Sequence, residues 1–119
     1  MEFKNDEARE TYEQLDERLK DVAYEMSVWC RENNLPFVIT RCVGPRSKTS
    51  VTDIHADKRA FDSSVRGWSI DCCHKFADTF NEKFAKEIGA IAKSTHEPIL
   101  VVYHNSGEGW HLHNQVRKL

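Results

Sequence analysis

The chain has 119 residues, enough for one domain with a single core and too few for two. Its 17 Lys and Arg against 19 Asp and Glu give a net charge of -2, which removes the broad positive field that nonspecific nucleic-acid binding uses. With 39% hydrophobic residues and Trp29, Trp68 and Trp110 among the aromatics, a packed core is expected rather than disorder.

The stretch from Met1 to Glu7 has neither the basic nor the apolar region of a secretory signal, and no apolar run nears the roughly 18 residues of a spanning helix. A chain made in the cytosol, with no membrane or nucleic-acid partner, is the expectation. Cys30, Cys42, Cys72 and Cys73 show no C-x-x-C spacing, which suits reduced thiols.

From Asp6 to Glu32 the residues Ala8, Tyr12, Leu15, Leu19, Val22, Ala23, Met26, Trp29 and Cys30 recur at three- and four-residue steps and predict one helix. Asn5 or Asp6 caps it and Asn33-Asn34-Leu35-Pro36 stops it. Phe37 to Arg41 reads as a strand, Gly44 to Ser50 as a loop, and Val51 to Asp62 as a mixed stretch with short extended pieces. A second helix starts near Ser69 or Asp71, with Cys72, Cys73, Phe76, Ala77, Phe80, Phe84, Ile88 and Ile91 on one stripe and Gly89 as a candidate break. After a turn at Ser94 to Pro98, Ile99 to His104 and Trp110 to Val116 form a hairpin around Asn105 to Gly109.

Three of the six histidines, His104, His111 and His113, fall near the C-terminus. Residues two apart on a strand point the same way, so His111, His113 and Gln115 share one face while Trp110, Leu112 and Val116 take the other. Two imidazoles placed so can converge on a metal, and a solvated polar face has the same pattern. His104 reads as a strand-end residue and His96 as a loop residue. His55 and Asp62 add a nitrogen and an oxygen seven positions apart, the donor types of a three-ligand zinc site with one position open. Glu108, three residues before His111, is placed to serve as a general base, or is an ordinary turn residue. Cys72 and Cys73 beside His74 lie in the helix stripe and read as small hydrophobes.

His55-x6-Asp62 followed by Glu108-x-Trp110-His111 resembles the zinc site of the D-alanyl-D-alanine carboxypeptidase, D,D-dipeptidase and phage L-alanyl-D-glutamate endopeptidase family, whose fold is shared by the hedgehog signalling domain. The likeness runs from about Phe37 to Val116. It is nearest to short phage-encoded members, through Thr40-Arg41, the run His55, Arg59, Ala60, Asp62, and the closing Gly-Trp-His-Leu-His-Asn-Gln-Val. It implies an α+β fold with two helices packed on a small, mainly antiparallel sheet. It further implies that His55, Asp62 and His111 hold zinc, that Glu108 is the base, and that an arginine such as Arg41 or Arg46 receives a substrate carboxylate. The implied substrate is the D-amino-acid-containing stem peptide of bacterial peptidoglycan, reached in the cell wall on release at lysis or met as cytosolic fragments.

Lys58 stands where many members have glycine, and His113 is a second candidate for the strand's ligand or a donor to the substrate. Two alternatives fit parts of the pattern. One is a non-catalytic zinc-binding relative acting as a structural or interaction module. The other is a single-strand nuclease built on His111-Leu112-His113, which needs a tyrosine nucleophile where no Tyr follows Tyr103.

Overall fold

The computed structural model describes residues 1–42, 59–84, 100–105 and 109–116. Asn5 caps α1 (Asp6–Tyr12), its side chain accepting the Ala8 amide at 2.8 Å. The single helix expected from Asp6 to Glu32 is in fact two, because a turn separates α1 from α2 (Glu17–Glu32). Asp16 causes the break: its carboxylate accepts the Arg18 amide at 2.9 Å and pairs with the Arg18 guanidinium at 2.9 Å, starting a fresh helix. Leu15 stays buried in the turn, so the apolar rhythm runs on without marking it.

At the far end Asn34 takes a φ of 56°, and the Asn34 and Leu35 amides reach back to the Arg31 and Cys30 carbonyls at 3.2 and 2.8 Å. This left-handed closure satisfies carbonyls that the helix leaves open. α3 (Ile70–Phe84) begins where expected, with Ser69 Oγ accepting the Cys72 amide at 3.1 Å. Cys73 is buried on its inner stripe, whereas Cys72 is half-exposed, so only one of the adjacent thiols packs in the core.

The strands β1 (Glu2–Phe3), β2 (Val38–Arg41), β3 (Ala60–Ser64), β4 (Val101–Asn105) and β5 (Trp110–Gln115) form one sheet in the order β1-β2-β3-β5-β4. β1 runs parallel to β2 and every other pairing is antiparallel. The architecture is therefore α+β, with three helices rather than the expected two and a mixed, mainly antiparallel sheet among the described residues. The loop at Gly44 to Ser50, the 51–58 stretch, Gly89 with Ile88 and Ile91, and the turn at Ser94 to Pro98 lie outside the described residues.

Alternation divides the sheet into two faces. Ile39, Phe61, Val101 and Leu112 are buried on one, in a common core with Leu19, Val22 and Met26 of α2 and Phe76 and Phe80 of α3. Phe76 is the hub, with ring centres 5.4 Å from Trp29, 5.3 Å from Trp68 and 4.9 Å from Phe80. Asn81 fastens α3 to the sheet: its Oδ1 accepts the Leu100 and Val101 amides at 2.7 and 2.6 Å, and its Nδ2 donates to the Val101 carbonyl at 2.9 Å. With the hydrophobic side committed to the helices, the opposite face is left to carry polar side chains. No helix among the described residues is long and apolar enough to cross a membrane.

Candidate functional site

On that opposite face the register gathers Asp62 of β3, His111 and His113 of β5, and His104 of β4. Asp62 stands opposite His113, and His104 opposite His111. Side chains two apart share a face, so both β5 imidazoles and both of their cross-strand partners project together. The expected division of β5 holds for Leu112 and Val116, which are buried; Trp110 is 57% exposed.

His111 Nδ1 lies 3.1 Å from the Gly109 carbonyl. A carbonyl only accepts, so Nδ1 carries the proton and Nε2 of the neutral ring presents its lone pair. That Nε2 is 3.9 Å from Asp62 Oδ1. Gly109 holds a φ of 107°, a conformation that favours glycine, and this turn aims its carbonyl at the ring. His113 Nδ1 donates to the same Asp62 Oδ1 at 3.0 Å, while its Nε2 lies 3.1 Å from Gln115 Oε1. His111, His113 and Asp62 side chains are only 17, 16 and 14% exposed.

His104 completes the cluster, its ring centre 4.6 Å from His111 and 5.9 Å from His113. Burial pushes its imidazole below the ordinary value, and the His111 and His113 rings act in the same direction against a smaller opposing pull from Asp62. Its Nε2 is buried with no hydrogen-bond partner. In the sequence alone His104 reads as a strand-end residue without a role. Counting outward from the hairpin turn would have paired it with His111, since Asn105 opposite Trp110 fixes the next rung.

A cleft of about 390 Å³ opens over Asp62, Ser64 and His111, walled by Arg41, Lys4 and α1 residues including Thr11. A register shift in β2 brings Arg41 there. Ile39 pairs with Ser63, yet Arg41 pairs with Asp62, so one extra residue is accommodated between them. Without it Arg41 would pair with Phe61 and point at the core; the bulge turns it to the polar face.

Asp62, His111, Arg41 and His113 are thus brought to one place. His55 and Glu108, like Arg46, Lys58 and His96, lie outside the described residues. As the side chains stand, no three His, Cys, Asp or Glu groups among the described residues meet around a point that would hold a metal ion. Tyr103 pairs with Leu112 on the helix-covered face and hydrogen-bonds Cys73, away from the imidazoles. Comparison with known proteins returned no match to a protein-family model, a curated protein or a solved structure.

Proposed function

We propose that this protein is a zinc-dependent peptidase that hydrolyses an amide bond in peptidoglycan peptides, with His55, Asp62 and His111 as ligands and Glu108 as the base. The observation that carries the reading is the Asp62–His111 pair at the floor of the cleft. Donors bound to one zinc at 2.0–2.2 Å sit about 3.3–3.6 Å apart in a tetrahedral shell, so a separation of 3.9 Å closes with a small side-chain shift. The donor chemistry also fits, because a ligating histidine ordinarily gives its other ring N–H to a fixed acceptor, as His111 does to Gly109.

The hydrogen bonds of the two β5 histidines support giving them different tasks. His111 offers a free lone pair, whereas His113 donates to Asp62 and so orients the carboxylate. When bound, zinc supplies Lewis acidity at the scissile carbonyl and brings the pKa of a water toward about 7. The protein's own groups do the rest. The forked guanidinium of Arg41, beside Asp62 in the wall of the cleft, receives a substrate carboxylate. Glu108 accepts the water's proton and returns it to the leaving amine.

Elemental analysis of natively purified protein, followed by assay on wall peptides, tests this. One zinc per chain and metal-dependent hydrolysis are expected, with Glu108→Gln keeping zinc and losing about 10²-fold or more in kcat, the scale of general acid–base catalysis. Zinc retained with no turnover by the unaltered protein would leave the non-catalytic module in its place.

A further inference from the structure

We infer that His104 is a further ligand of the metal centre, so that the ion is held by imidazoles from both strands of the β4–β5 hairpin. This deepens the zinc reading and rests on it for the presence of a metal, though not for peptidase activity.

Two imidazoles bound through nitrogen to one ion at about 2.0–2.1 Å, with tetrahedral angles, have ring centres roughly 5 Å apart. The His104–His111 separation of 4.6 Å is close to that value, and the two rings are inclined by 57° rather than stacked flat. Pairing of His104 with His111 across the ladder makes them direct cross-strand neighbours through the backbone register, which brings the two rings within reach of one ion.

The second observation is the His104 Nε2 atom, buried and without a partner. A buried polar atom left so costs about 1–3 kcal/mol, and such atoms are rare in native proteins unless a ligand or ion completes them. Asp62, His113 and His111 Nδ1 are engaged at the site, so the buried nitrogen of this cluster without a hydrogen bond belongs to His104, beside the lone pair of His111 Nε2. A bound ion and a small rotation of the His104 and His111 rings would satisfy the orphan nitrogen and draw Asp62 and His111 together.

The test is a zinc titration of the full-length protein labelled with 15N histidine, followed by long-range 1H–15N correlation spectra that resolve each ring nitrogen. With zinc alone as the probe, the His104 Nε2 resonance is expected to move to the metal-bound position together with that of His111. His104→Gln is expected to weaken zinc binding at least tenfold while the amide spectrum of the remaining chain is preserved. If zinc moves His111 and leaves the His104 nitrogens unshifted, the centre stands and His104 is not its ligand. If no ring responds to stoichiometric zinc, the centre and His104's part in it fall together. Should His104→Gln not fold, the spectrum of the unaltered protein decides by itself.

Discussion

His113 shows how much a single hydrogen bond can fix. Its Nδ1 sits 3.0 Å from the Asp62 oxygen that also faces His111, so the imidazole holds one carboxylate oxygen toward the cleft. An outer partner of this kind typically contributes 10–100-fold to metal affinity. His113→Phe keeps the ring and removes the donor. Zinc affinity is expected to fall by about that factor, measured by competition with a chromogenic chelator, while far-ultraviolet dichroism stays unchanged. Unaltered affinity would remove His113 from the centre. That His111 and His113 share a face was readable from their spacing alone. Their unequal roles were not, because these depend on Gly109 and Asp62, one supplied by a turn and the other by a strand some fifty residues earlier.

Asn81 governs how the elements meet. It takes both amides at the entry to β4 and returns a bond to Val101, linking α3 to the strand that carries His104. Asn81→Ala leaves two part-buried N–H groups and a carbonyl without these partners, and a loss of about 2–3 kcal/mol is expected. Urea unfolding with an unchanged slope would measure it. A cost below about 0.5 kcal/mol would mean that water replaces these bonds. The long elements were legible because their apolar periods continue over several turns: α3 begins where its Ser69 cap predicts. Two features escaped. β1 is two residues long, too short to show a period, and it exists through pairing with β2. The break before α2 was masked by Leu15, although Asp16, a good capping residue, was its visible signal.

At the scale of the whole molecule the sheet separates two environments, and the thiols report on one of them. Cys30 is fully buried on the inner side of α2, and burial pushes its thiol up to about 12. Between pH 7 and 9 it therefore remains protonated in the folded state, and only unfolding, which returns it to its ordinary value near 9, creates the reactive thiolate. Iodoacetamide at pH 8 is expected to modify half-exposed Cys72 promptly and Cys30 only at the rate of global opening, read by mass spectrometry of quenched samples. Modification of both at equal rates would show the core to be open. The polar environment on the other side depends on chain length as much as on residue identity. Because β2 spends two residues where β3 spends one, the guanidinium at position 41 owes its outward aim to a counting mismatch between neighbouring strands. Deleting one residue between Ile39 and Arg41 would send that positive charge toward the phenyl rings, and the cleft would lose the arginine that lines it among the described residues.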